Sequence, residues 1–270
     1  FIFRLDDAER LDADQLEHKI AGLVSGGVSR VMFVPNQLSP GCLPRYEELL
    51  RRISDNFPVT IEGFDICSLL ELADLHSLEV QEVISRLITA GLDLVPGFGC
   101  GMLIDRVLEQ EQSPWLSDQI LRTMQWVHRL GGKSSCCLTL SSGQTWEERL
   151  VHLQKIRKVQ DESPGFRYFF LDEDPRAQNE LSFDDRLRAV LISRIFLDNV
   201  PSVQKLDLHK DSKLGVMCLS FGANEASFQF SDETTDQEMQ QMLDTMRSLG
   251  GLGPGFDISS PSVRISSEVH

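Results

Sequence analysis

The sequence predicts an α/β protein, a (β/α)8 barrel of TIM type, on three observations. Amphipathic helical stretches alternate with short apolar or β-branched strands along most of the chain, and that order implies parallel pairing through helical crossovers. The strands fall near residues 31, 59, 92, 134, 166, 203 and 225, one short of the eight that would close a barrel without exposed edges. A length of 270 residues with 41% hydrophobic and 25% charged positions suits one large domain with its own core. The missing first strand is expected upstream of Phe1, because the sequence opens Phe1-Ile2-Phe3-Arg4 without an initiator methionine, as a piece of a longer chain would. A doubly wound open sheet is the other arrangement the alternation permits.

The elements follow in order. A helix over 14–25 runs through Gly26-Gly27 into the strand 30–34, and a helix over 46–54 leads to the strand 59–62. A helix over 78–89 stops at Gly91 before the strand 92–95. Helical segments over 104–108 and 118–130 precede a strand over 134–140. Thr145 and Glu148 then have the spacing of a capping box at the head of a helix that runs to about 160. The strand 166–171, the helix 183–197 and the strand 203–206 follow. Beyond them the pattern gives a helix over 213–219, a strand over 225–228 and a last helix over 237–248. The barrel is thus expected over residues 1–250, with 251–270 a loose tail rich in glycine, serine and proline.

Forty-one acidic residues against twenty-six basic give a net charge of −15, the wrong sign for a surface that binds nucleic-acid phosphates or an anionic membrane. A small organic substrate or a protein partner fits better. No apolar run approaches the roughly 18 residues needed to span a bilayer, and no basic segment followed by an apolar one opens the sequence, so the chain reads as soluble and cytoplasmic. The six cysteines, Cys42, Cys67, Cys100, Cys136, Cys137 and Cys218, lack the spacing of zinc sites or redox pairs, and a domain with its own core does not need a disulfide framework. They read as reduced, mostly buried thiols. The histidines never recur at i, i+4, so no metal ligands are assigned.

In either fold, chemistry belongs on the loops after the strands' C-terminal ends. Asn36 and Gln37 offer amides that can grip a carboxylate or a ribose, or simply make a turn. Glu62 and Asp65 are paired carboxylates able to bind an amine or act as acid and base, though acids are common in so acidic a chain. The sharpest feature is the run Pro96-Gly97-Phe98-Gly99-Cys100-Gly101, whose glycines let backbone N–H groups approach a ligand, or shape a tight rim turn. It is not the dinucleotide fingerprint. Ser141, Ser142, Gln144 and Thr145 can bind polar ligand groups or serve as a helix entry, and Ser142 has no neighbouring base to make it a nucleophile. Asp172, Glu173, Asp174 and Arg176 form a charged turn where a hard cation can sit, or simply a solvated acidic turn.

Several runs together resemble one family. They are Arg4-Leu5-Asp6-Asp7-Ala8, Ala90-Gly91-Leu92-Asp93 through Pro96-Gly97, Leu103-Ile104-Asp105-Arg106-Val107, His128-Arg129-Leu130-Gly131, and Glu148-Arg149-Leu150-Val151-His152-Leu153. Ile156-Arg157, Gln160-Asp161-Glu162 and Gly165-Phe166 continue the match. The most specific is Ile192-Ser193-Arg194-Ile195-Phe196-Leu197-Asp198-Asn199-Val200-Pro201, followed by Phe221-Gly222-Ala223-Asn224. The resemblance is to the menaquinone (futalosine-pathway) and deazaflavin branch of the radical S-adenosylmethionine enzymes, with the futalosine-cyclising members matching best.

The resemblance implies a (β/α)8 barrel, a nucleoside-type substrate, and cyclisation of dehypoxanthinyl futalosine begun by a 5′-deoxyadenosyl radical. It implies S-adenosylmethionine and a [4Fe–4S] cluster held by a C-x3-C-x2-C motif just before the stretch matching Phe1 to Ala8, a motif this chain does not contain. It points to Asn36, Gln37, Gly97, Gly99 and Gly101 as cofactor contacts and to Ser141, Ser142, Gln144, Thr145, Asp172 and Arg176 as substrate contacts, to which the reading of the loops adds Glu62 and Asp65. The family's loops diverge here. Its glycine pair after the second strand is Asn36-Gln37, its P-G-G-G-A-E glutamate is Gly101, and its G-H-x-E-T histidine and glutamate are Ser142 and Gln144. Such losses also fit a catalytically silent barrel serving as a binding or partner subunit, or a related enzyme with another substrate.

Overall fold

Eight strands pair in parallel, each beside its neighbour in sequence, in the order β1 to β8. They are β1 (Ile2–Arg4), β2 (Arg30–Val34), β3 (Thr60–Gly63), β4 (Leu94–Val95), β5 (Lys133–Leu140), β6 (Phe166–Glu173), β7 (Ser202–Lys205) and β8 (Glu225–Ala226). This is the strand order of a (β/α)8 barrel. Among the described residues no pairing joins β8 back to β1. The computed structural model describes residues 2–4, 13–25, 28–35, 37–98, 101–141, 143–174, 181–205, 217–218, 221–226, 228–230 and 263–265.

The first strand was expected upstream of Phe1, and here the structure corrects the sequence reading: β1 lies inside the chain, with Phe3 in register with Phe33. Three residues are too few to show a two-residue period, which is why this strand escapes a pattern search. β8 covers only the start of the strand expected over 225–228. The next residues belong to a separate two-stranded parallel sheet of β9 (Phe228–Phe230) and β10 (Val263–Ile265), the latter within the stretch read as a tail. The helices expected over 213–219 and 237–248 fall largely or wholly outside the described residues.

The helices are α1 (Ala13–Ser25), α2 (Leu43–Asn56), α3 (Ile66–His76), α4 (Val80–Thr89), α5 (Asp105–Gln110), α6 (Ser117–Arg129), α7 (Trp146–Glu162) and α8 (Phe183–Phe196). Helix α3 is absent from the pattern reading, which gave Asp65 to a ligand loop. The Asp65 side chain instead accepts the Ser68 N–H at 2.7 Å and caps the helix, and Leu69, Leu70, Leu72 and Ala73 bury its inner face. In α2, Pro44 pre-sets the first turn and Leu43, Tyr46, Leu50 and Ile53 supply a helical apolar stripe. The capping box at α7 forms as the spacing predicts: Thr145 Oγ1 accepts the Glu148 N–H, and Glu148 Oε2 accepts the Thr145 N–H at 2.9 Å.

Strand alternation sorts the buried side chains into two layers. Val31, Phe33, Ile61, Val95, Cys136, Leu138, Leu140, Phe169, Leu171 and Val203 face the helices in one large core. On the other face of the sheet, Leu94, Cys137, Tyr168 and Phe170 form a second cluster with Phe98 packed on it. That inner layer is the lumen. The chain leaves β3 through Phe64, whose φ of 54° swings its ring into the helix layer, 5.1 Å from Tyr46.

Candidate functional site at the lumen and its C-terminal mouth

The lumen holds polar groups among its apolar ones. Glu62, fully buried on β3, reaches across to β6, where the Tyr168 hydroxyl donates to its Oε1 at 2.5 Å. Arg30, at the start of β2, places Nη1 3.8 Å from Glu62 Oε2 and its guanidinium 5.7 Å from the Tyr168 ring centroid. Glu62 Oε2 has no hydrogen-bond donor among the described residues. Because Arg30 heads its strand, this trio lies toward the N-terminal end of the lumen.

Above it sit Cys137 and Phe170, paired in register, and Phe98 from the loop after β4 closes over them with its ring 4.9 Å from that of Phe170. The next residues toward the C-terminal rim on that face are Thr139 and Asp172, again in register and only partly buried. An apolar floor thus gives way to a polar rim.

The residues nominated from sequence divide clearly. Glu62 lies in the lumen whereas Asp65 caps α3, so the two carboxylates are not brought together. Burial pushes the Asp65 carboxyl above the ordinary carboxylate range, against the opposing pull of the Ser68 and Cys67 amides. Gly97 and Gly101 are packed onto β5. A Cβ on Gly97 would lie 2.7 Å from the Cys136 Cα, and one on Gly101 2.0 Å from the Thr139 Oγ1. The Gly97 N–H donates to Ser135 Oγ and its carbonyl accepts the Cys137 thiol, each at 2.8 Å, while the Gly101 carbonyl accepts the Thr139 N–H at 2.9 Å. These glycines are needed for close contact between loop and strand.

The loop before α7 is equally committed to its own structure. Gln144 donates to the Thr139 carbonyl at 2.8 Å and accepts the Ser141 N–H at 3.1 Å, Arg149 donates to the Ser141 carbonyl at 3.0 Å, and Thr145 is the helix cap. One oxygen of Asp172 accepts the Glu173 N–H at 2.8 Å, and Glu173 pairs with Arg186, also at 2.8 Å. Gln37 is exposed beyond β2. Asn36, Gly99, Ser142 and Arg176 lie outside the described residues. Sequence reading missed Arg30, Phe98, Thr139 and Tyr168 as site residues. The signal was there for one of them, since Tyr168 shares a face of its strand with Asp172 by the two-residue period.

Two buried histidines brace the wall behind this site. The Leu103 N–H donates to His152 Nδ1 at 2.9 Å, so the proton is on Nε2 and is donated to the Cys137 carbonyl at 2.8 Å. His128 bridges the Ser163 carbonyl at 2.6 Å and Ser134 Oγ at 2.7 Å. Burial lowers both imidazoles to about 4. A cavity of about 350 Å³ lined by Cys67, Glu71 and residues 111–115 is on the helix side, away from the lumen.

The chain is 28% identical over 225 residues to a cyclic dehypoxanthine futalosine synthase of Halalkalibacterium halodurans, covering 80% of this chain and 60% of that protein. It is 28% identical over 197 residues to an aminodeoxyfutalosine synthase of Thermus thermophilus, covering 67% of this chain and 52% of that protein. Among solved structures, HydG, a maturase of the [FeFe]-hydrogenase, superposes with a TM-score of 0.63 at 13% identity over 92% of this chain and 58% of that one. The chain is thus similar to futalosine-route synthases over most of its length, and it shares a fold with HydG. No family model matches it. It spans 60% and 52% of the lengths of the two synthases.

The resemblance to radical S-adenosylmethionine enzymes implies S-adenosylmethionine and a [4Fe–4S] cluster, and the described residues do not fit the cluster. Cys42 and Cys67 sit on the helix side, Cys136 and Cys137 point to opposite faces of β5, and Cys218 lies beyond β7. Among the described residues no three potential ligands converge. No described helix is long and apolar enough to cross a membrane.

Proposed function

We propose that the native protein acts in the cytoplasm, in the futalosine route to menaquinone, on dehypoxanthinyl futalosine, which it cyclises. The observation that carries this reading is the collinear likeness to a cyclic dehypoxanthine futalosine synthase over 225 residues. The polar rim at the C-terminal ends of the strands, where α/β barrels hold their substrates, supports it. In this reading the substrate enters the C-terminal mouth, where Asp172, Thr139 and Gln37 lie, while the side chains of Gln144 and Thr145 are engaged by their own loop. The cluster and S-adenosylmethionine that the radical reaction calls for would be held by residues outside those described.

Native protein, reconstituted anaerobically and given S-adenosylmethionine and dehypoxanthinyl futalosine, is expected to form the cyclised product, detected by mass. Cluster-loaded protein that forms neither this product nor 5′-deoxyadenosine would sink the proposal.

A further inference from the structure

Two backbone N–H groups at the entrance to α2 converge on one side-chain nitrogen. Gly41, whose φ of 84° puts it in the left-handed region, donates to His76 Nε2 at 3.1 Å, and Leu43 donates to the same nitrogen at 3.3 Å. His76 is the last residue of α3. The side chain of Cys42, which stands at the cap position of α2, makes no capping bond, and Pro44 has no N–H to satisfy. The imidazole thus caps α2 from a neighbouring helix.

The partners of this ring fix its protonation state. Nδ1 lies 3.0 Å from the Leu72 carbonyl, which can only accept, so the proton is on Nδ1 and the lone pair of Nε2 receives the two donors. A second proton would turn Nε2 into a donor facing two donors. Unlike the buried His128 and His152, His76 is only partly buried, and water can deliver that proton. The loop between β2 and Cys42 has no ionisable side chain, α2 brings the charges of Arg45, Glu47 and Glu48 in its first two turns, and α3 brings Glu71 and Asp74. Glu47 is paired with Arg51 and Arg86, and among the described residues His76 is in no ion pair.

We propose that His76 is a pH-sensitive clasp on the loop between β2 and α2, closed while the ring is neutral and open once it is protonated, so that acid loosens residues 37–42 at the C-terminal mouth. Its consequence for substrate entry rests on the reading of that mouth given above. The clasp itself needs neither substrate nor cluster, so the two can fail separately.

Amide exchange of the full chain, followed by NMR from about pH 8 to about pH 5.5 with each rate divided by the intrinsic rate at that pH, tests it. Protection of Gly41 and Leu43 is expected to fall about tenfold or more across that range, while Phe169 in β6 keeps its own. His76→Gln retains an acceptor but cannot titrate, and is expected to hold the protection level. His76→Leu is expected to leave both amides unprotected even at the alkaline end. Wild-type protection that does not change with pH would overturn the proposal, as would a fall of equal size in His76→Gln. A fall shared by Phe169 would make the loss global and would overturn it too.

Discussion

At the scale of single residues, the lumen trio shows how burial raises the stakes of one hydrogen bond. Tyr168 donates across the sheet to a fully buried carboxyl whose other oxygen has no hydrogen-bond donor among the described residues. Tyr168→Phe keeps the ring and removes the hydroxyl, so Glu62 would be left with Arg30 at 3.8 Å as its polar neighbour. The expected loss is about 2–3 kcal/mol of unfolding free energy in urea titrations, the cost of stranding a buried acceptor. The two histidines give a pH prediction. Their folded pKa values of about 4 lie below the ordinary 6.5, so the unfolded chain binds more protons between those values. Stability is complete above pH 6.5 and is lost as the pH falls toward 4, by on the order of 3 kcal/mol for each imidazole. Urea midpoints measured from pH 7 to 4.5 should fall, and His152→Asn, which keeps an acceptor for Leu103 but cannot titrate, should flatten that slope. An unchanged slope would mean that His152 is not held neutral.

Among elements, the loops after β4 and β5 are where sequence and structure part company. Alternating glycines read as a ligand cradle, yet the described ones serve strand packing, because a Cβ at 97 would strike the β5 backbone at 2.7 and 2.8 Å. Gly97→Ala is therefore expected to cost about 1–3 kcal/mol whether or not a ligand is present. A variant that loses ligand affinity with unchanged stability would restore the cradle. The capping box was legible because it is local: Thr145 and Glu148 need only their spacing. Thr145→Ala should cost about 1 kcal/mol, read as a lower urea midpoint. The lumen trio was not legible, because Arg30, Glu62 and Tyr168 come from three strands and only the pairing of those strands tells which residues face one another. Helix α3 was overlooked for a related reason. Asp65 caps a helix as readily as it binds a ligand, and the apolar residues that decide between the two lie downstream, at Leu69, Leu72 and Ala73.

On the scale of the whole molecule, the fold class was legible because one helix-and-strand unit recurs, and each repetition independently calls for parallel pairing. The first strand was the exception, since Ile2–Arg4 is identified by its partner and not by its own pattern. Its place in the sheet has a consequence. β2 carries Val31, Met32 and Phe33, all 3% exposed or less, and without β1 their backbone would form an open edge beside an apolar core. Exposed apolar edges recruit other chains. Deleting residues 1–4 is therefore expected to lower the melting temperature and to move the protein into larger species on size-exclusion chromatography at concentrations where the intact chain does not associate. Amide exchange at Met32 and Phe33 should quicken, while the pairing of β5 with β6, remote from that edge, keeps its protection. Unchanged exchange along β2 would show that β1 does not pair there, and the sheet's first place would have to be filled by a strand upstream of Phe1.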